Sequence, residues 1–347
     1  MNRRRFLEML TVLAGYIGFL CAVPCKLWGE FRSNHETKLP GGTNTANQKV
    51  AGKTRVVLAR NQSVLSKEHS LNSAVADQML EKALLRLTDT STLESAWGAL
   101  FTPDDIVGIK VNALGGKRIA TQPVIVDAIV TGLKRAGVPE NNIVVWDRLT
   151  DELQKAGYRI NRSKTGVRCY GTDTNYEREP EMSGSIGSCF SRILSSQCTA
   201  LINVPVLKDH DLAGVSISLK NFYGAIHNPN KYHDNNCDPY IADVNKHTYI
   251  KDKLRLIVCD ATTLLYHGGP AYKPQYAVNY CGVLVSRDPV AVDTIGVKLI
   301  EDVRREKGLE PLREAGREPV HVATAAKQGL GTDDLSKIDL IKVLLGR

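Results

Sequence analysis

No CxxC pair occurs anywhere in the 347 residues, although the chain holds eight cysteines. That spacing is the usual support of iron–sulfur clusters and structural zinc, so neither is expected in its standard form. Glycine-rich nucleotide motifs are missing as well. No GxGxxG follows a strand, and Gly115-Gly116-Lys117 lacks the rest of a phosphate loop. No GxSxG nucleophile elbow appears. Aromatic residues are few, at 6%, and no long Lys/Arg run or basic stretch interleaved with aromatics is present, which argues against nucleic acid as a partner.

What remains is an ordinary globular composition, 43% hydrophobic and 24% charged, ample for a core and unlike a disordered chain. One large domain accommodates this length in an α/β fold. The net charge is +8, and Arg3, Arg4, Arg5 and Lys26 against Glu8 place three of those charges before residue 27.

Those first residues read as an address. Asn2-Arg3-Arg4-Arg5-Phe6-Leu7-Glu8 fits the twin-arginine pattern, lacking only the usual Lys after Leu, and an apolar stretch runs from Met9 to Val23. The stretch has the length of a signal h-region and is shorter than the roughly 20 residues of a transmembrane helix. An ordinary secretory signal or an amphipathic anchor is the alternative. The expectation is export by the twin-arginine translocase to the periplasm or the outer face of the cytoplasmic membrane. Ala22-Val23-Pro24 is a poor cleavage site, so membrane attachment through an uncleaved N-terminus stays open. The expected division is a signal or anchor over residues 1–30, a flexible Ser/Asn/Thr/Gly-rich linker over 31–53, and an α/β domain over 54–347.

Hydrophobic periodicity then predicts strands at 54–60, 106–112, 143–147, 167–170, 200–207, 254–260, 281–286 and 338–344. Helices are predicted near 71–87, 123–136, 290–307 and 320–328. The alternation specifies a mainly parallel sheet with helices on both faces. Residues 227–253 read as a long polar, irregular insert.

In such sheets ligands bind beyond the carboxyl ends of the strands. Asn112 and Asp147 end two strands, Lys208 and His210 follow a third, Asp260 ends a fourth, and Arg287-Asp288 follow a fifth. The densest stretch, 203–224, gathers Lys208, His210, Lys220 and Asn221 around Gly214. From these we expect a site in which Lys208, His210, Lys220 and His267 carry chemistry, while Lys110, Asn112, Asn221 and Asp288 bind an anionic small molecule. A divalent metal, if one is used, would be held by Asp260 and His210. A structural account competes for several of these. Lys208 with Asp209 reads alternatively as an exposed pair, and Asp288-Pro289 as a helix N-cap followed by the favoured first-turn proline. Asp293 then faces the favourable end of that helix's dipole. The spacings of His227, His233 and His247 match no standard metal motif.

Taken together, Ile109-Lys-Val-Asn112, Gln122-Pro123, Ala136-Gly137, the block from Leu201 to Gly224 and Ser286-Arg-Asp-Pro-Val-Ala-Val-Asp293 resemble the family catalogued as domain of unknown function 362, over roughly residues 54–345. The resemblance implies no established reaction. Relatives with appended ferredoxin-like cysteine motifs imply a redox association for themselves, which the cysteine spacing here does not extend to this chain. The expected function is an exported anion-binding protein, with catalysis left open; the alternative is a non-catalytic accessory or maturation protein of an exported redox system.

Overall fold

A computed structural model describes residues 52–66 and 70–346. The twin-arginine segment and nearly all of the expected linker lie outside the described residues. In chain order the strands are β1 (Thr54–Asn61), β2 (Val107–Val111), β3 (Ile143–Trp146), β4 (Arg168–Cys169), β5 (Glu181–Ser183), β6 (Ile186–Ser188), β7 (Ala200–Val204), β8 (Val206–His210), β9 (Gly214–Ser216), β10 (Leu254–Leu265), β11 (Ala277–Ser286) and β12 (Ile338–Leu345). The α-helices are α1 (Ser73–Thr88), α2 (Leu93–Gly98), α3 (Pro123–Arg135), α4 (Thr150–Lys155), α5 (Ser218–Asn221), α6 (Tyr240–Lys246), α7 (Thr248–Lys251), α8 (Pro289–Glu306) and α9 (Val320–Lys327).

Ten strands form one sheet in the order β12-β1-β11-β10-β7-β2-β3-β4, with β8 beside the far half of β10 and β9 beside β8. Pairing is parallel for β12-β1, β10-β7, β10-β8, β7-β2, β2-β3 and β3-β4. Pairing is antiparallel for β11 with both its neighbours and for β8-β9. This is the mainly parallel α/β domain that the alternation specified. Every residue of β2 and β7 is buried, as expected of strands covered on both faces. On β1 the alternation sorts the two layers: Val57 and Ala59 pack with Met79 and Leu84 of α1, and Val56 and Leu58 with Ile295 and Val303 of α8.

Three differences from the sequence reading bear on the site. The strand expected over 200–207 is two strands, because Pro205 has no N–H to give the ladder. Lys208 and His210 therefore lie within β8 rather than after a strand. The strands beginning at 254 and ending at 286 are also longer than expected, and Asp260 lies mid-strand in β10. There the register against β11 shifts between Ala261 and Thr263, and the Thr262 N–H turns back onto Asp260 Oδ1 at 2.9 Å. Finally, the insert at 227–253 is not irregular throughout. It contains α6 and α7 and sends Ile241, Ala242, Val244 and Ile250 into the core.

Candidate functional site

The carboxyl ends of β2, β3 and β8 and the short helix α5 surround a cleft of about 240 Å³. Its lining includes Lys110, Asn112, Asp147, Arg148, Glu152, His210, Lys220, Asn221, Tyr223 and His233.

The floor is a buried hydrogen-bond network. Lys110 donates to Asp147 Oδ1 at 2.6 Å, to the Val111 carbonyl at 2.7 Å and to Asn221 Oδ1 at 3.3 Å. Asp147 also accepts from the backbone N–H groups of Ala113 and Arg148, both at 2.7 Å. Asn112 donates to Asn221 Oδ1 at 3.1 Å and accepts from Lys208 Nζ at 2.8 Å, while Asn221 Nδ2 donates to Asn203 Oδ1 at 2.7 Å. Register explains the convergence, since Lys110, Asn203 and Trp146 are neighbours across β2, β7 and β3. Gly224 is required here for space: a Cβ on it would stand 2.8 Å from Asp147 Oδ1 and 3.0 Å from Lys110 Nζ.

Lys208 is fully buried beneath the lining, with its ammonium held by Asn112 Oδ1 and the Leu114 carbonyl, each at 2.8 Å. Burial lowers its pKa to about 7; the Asp147 carboxylate opposes that shift and Lys110 adds to it. Lys220 is lowered to about 8, again by burial first, with the Cys237 thiol opposing. Its Nζ lies 3.1 Å from His233 Nε2, 3.8 Å from Cys237 Sγ and 4.1 Å from the Tyr223 ring centre. His233 Nδ1 faces the Pro229 carbonyl at 3.1 Å, so that nitrogen carries the proton and Nε2 offers its lone pair to Lys220.

His210 is the mirror case. Its Nδ1 accepts the Leu212 and Ala213 N–H groups at 3.2 and 3.3 Å. Asp211 Oδ1, at 3.0 Å from the same nitrogen, shares the Leu212 N–H as a second acceptor, so the neutral ring carries its proton on Nε2. Burial and then Lys220 lower its pKa to about 2. The His210 and His233 rings stack with centres 5.7 Å apart.

Asp293, expected only to complement the dipole of its helix, positions this machinery. Asp293 of α8 is fully buried and accepts the N–H groups of Ser218 and Leu219 at 2.7 and 3.2 Å, pinning the start of α5, which delivers Lys220 and Asn221. Its pKa is raised to about 8 by burial, against those two hydrogen bonds.

Of the expected site residues, Lys110, Asn112, His210, Lys220 and Asn221 line the cleft and Lys208 underlies it. The other three are elsewhere. His267 belongs with the opposite face of β8, because side chains alternate along a strand. There Asp209 accepts from Arg317 at 2.9 Å and from the Gly269 N–H at 3.0 Å, and His267 Nδ1 lies 3.3 Å from Arg317 Nη2. Asp288 follows an antiparallel strand, which carries it toward the amino ends of the parallel strands. It caps α8 through the Ala291 N–H at 2.9 Å and holds the Thr332 N–H at 3.0 Å. Asp260 spends both oxygens on Thr262 and on the Gln122 N–H that begins α3, and it pairs with Val206, four residues before His210. The two expected metal ligands are therefore not brought together, and among the described residues no group of three or more His, Cys, Asp or Glu could hold a metal ion.

Asp147, Arg148, Glu152, Tyr223 and His233 line the cleft without having been chosen from the sequence. Asp147 carried the strand-end signal. His233 is separated from Lys220 by thirteen positions and an apparently irregular segment, and no spacing rule links them.

The same stretch that builds the cleft matches a known family profile, described as domain of unknown function (DUF362), over residues 107–298, more than half of the chain. The chain belongs to the DUF362 family. No curated protein matches this DUF362 sequence. Among solved structures, a crystal structure of a protein from Thermotoga maritima is similar at 11% identity with a TM-score of 0.36, covering 55% of this chain and 50% of that one. The present chain thus spans about half the length of that protein.

Proposed function

We propose that this DUF362 protein binds an anionic small molecule in the lysine-rich cleft, with Lys220 and His233 able to move protons on it and His210 able to donate a hydrogen bond to it, and that it is exported by the twin-arginine route to work in the periplasm or at the outer face of the cytoplasmic membrane. The observation that carries the binding reading is the balance of buried charge. Lys110, Lys208 and Lys220 converge on the cleft with Arg148 at its rim, whereas Asp147 is committed to Lys110 and Glu152 pairs with Arg148 at 3.1 Å. Two ammonium groups are left without a carboxylate partner in direct contact. Burial disfavours the charged form of Lys220 by roughly 3 kcal/mol, and an anion beside it recovers part of that cost. Carboxylate and phosphate are the groups that such lysines hold.

His233 Nε2, with its lone pair on Lys220, accepts a proton, and the neutral His210 offers its Nε2–H as a hydrogen-bond donor, so the cleft carries a base and a donor 5.7 Å apart between ring centres. The test is titration of the purified protein with inorganic phosphate and with succinate, followed by calorimetry. Saturable binding that Lys220→Met weakens at least about tenfold supports the reading, since a charged hydrogen bond is worth roughly 1.5–3 kcal/mol. Equal, salt-like weak binding by both proteins refutes it. The export reading is tested separately by changing Arg3 and Arg4 to Lys and fractionating cells: accumulation in the cytoplasm supports it, and undiminished export refutes it.

A further inference from the structure

We infer that Lys220 is a nucleophilic amine that forms an imine with a carbonyl group on an anion held in the cleft. This deepens the anion-binding reading and rests on it. Three lysines reach this region, and the geometry separates their roles. Lys110 is fixed in an ion pair with Asp147. Lys208 is wholly buried, and both of its hydrogen bonds go to oxygens of the protein. Lys220 lines the cleft, and its direct neighbours are a neutral imidazole, a thiol and the face of a tyrosine ring. None of these holds an ammonium group as a carboxylate does.

The groups an imine needs are arranged around that nitrogen. His233 Nε2, 3.1 Å away, takes a proton from the ammonium group, and the hydrogen bond from Nδ1 to the Pro229 carbonyl holds the ring in the orientation for this. The freed lone pair attacks the carbonyl carbon, so a C–N bond forms as the C=O π bond breaks. The proton held by His233 passes to the oxygen, giving a carbinolamine hydroxyl, with the neutral His210 on the same cleft offering a hydrogen bond to that oxygen. His233 then takes the second N–H proton and returns it to the hydroxyl as the C–O bond breaks, so water leaves and the protonated imine, C=NH+, remains. No oxidant or reductant is consumed. The charged and titratable groups around Lys220 are His233, His210, His321, Cys237, Tyr223, Asp211 and Lys208. Burial and this surrounding bring its pKa to about 8, so a usable fraction is free amine near neutral pH. Arg148 at the rim remains to contact the anionic end, and the positive charge of Lys110 and Lys208 at and beneath the floor favours it without direct contact. The ligand class is therefore a small oxo acid or a phosphorylated aldehyde or ketone.

The experiment incubates the full chain with pyruvate, glyoxylate or dihydroxyacetone phosphate in sodium cyanoborohydride, which reduces imines to stable amines, and maps the adducts by peptide mass spectrometry. The expected result is labelling of Lys220 at least about tenfold above the exposed lysines, suppressed by inorganic phosphate and absent in Lys220→Arg. His233→Asn should slow the labelling while phosphate still binds. Labelling spread over surface lysines, or no enrichment at Lys220 with any of the three probes, overturns the proposal. If phosphate still binds in that case, anion binding stands and imine formation fails; if phosphate does not bind either, both fail.

Discussion

Replacing Asp147 by Asn removes one charge and almost no volume from the centre of the cleft floor. The Lys110 side chain is 1% exposed and the Asp147 side chain 6%, with Nζ and Oδ1 2.6 Å apart. Without the carboxylate, Lys110 keeps the Val111 carbonyl and Asn221 Oδ1 as acceptors but carries an uncompensated buried charge. The new amide must also turn a donor toward either the Lys110 ammonium or one of the backbone N–H groups that Asp147 now satisfies at 2.7 Å. Breaking one partner of a buried pair costs about 3–5 kcal/mol. Equilibrium urea denaturation should show that loss as a lower midpoint at unchanged slope. Adding Lys110→Met to Asp147→Asn removes the stranded charge, so the double variant should be more stable than Asp147→Asn alone by about 1–3 kcal/mol. A single variant within about 1 kcal/mol of the parent, or a double variant no better than the single, would refute the view that this pair is a closed, desolvated unit.

Two further consequences follow from the same geometry. His210 and His321 are held neutral, with pKa values lowered from 6.5 to about 2 and about 3, in both cases chiefly by burial. The unfolded chain therefore binds more protons below pH 6.5, and stability, fully present above that value, falls as the pH drops, by about 1.4 kcal/mol per unit for each ring. Urea midpoints measured from pH 7 down to 5 should fall accordingly, and His321→Leu, at a ring whose two nitrogens have no hydrogen-bond partner, should flatten the dependence. Gly224→Ala should lower phosphate affinity and cost about 1–3 kcal/mol of stability, because its methyl group would enter the Lys110–Asp147 pair; unaltered binding and an unaltered midpoint would contradict the packing described.

The sequence made the architecture legible where physics is local. The runs of β2 and β7, apolar apart from Lys110 and Asn203, and the proline-led helices α3 and α8 announced strands covered on both faces and the crossovers between them. Strand-end chemistry was partly legible for the same reason: Lys110, Asn112, His210 and Lys220 were chosen by position, and they meet. What stayed hidden was set by pairing over long range. Pro205 divides one apolar run into two strands, and the period of two then sends Lys208 and His210 to the cleft but Asp209 to the other face with His267. The antiparallel course of β11 removes Asp288 from the site, which no local pattern reveals. His233 reaches Lys220 only because the segment that carries it folds over α5, and Asp293 holds α5 from 75 positions away.

The central question is whether an anion in the cleft draws protons onto Lys220, which lines it, and onto Lys208, buried beneath it. The most direct measurement is calorimetric titration with inorganic phosphate at about pH 8.5 in two buffers of different ionisation enthalpy, from which proton exchange on binding is read. Both lysines are then largely neutral, with pKa values of about 7 and about 8, and an anion favours their charged forms. Net proton uptake is expected, on the order of one proton per phosphate and reduced in Lys220→Met, with affinity falling as the pH rises further. Binding without proton uptake, or uptake unchanged in Lys220→Met, would contradict anion binding beside these amines.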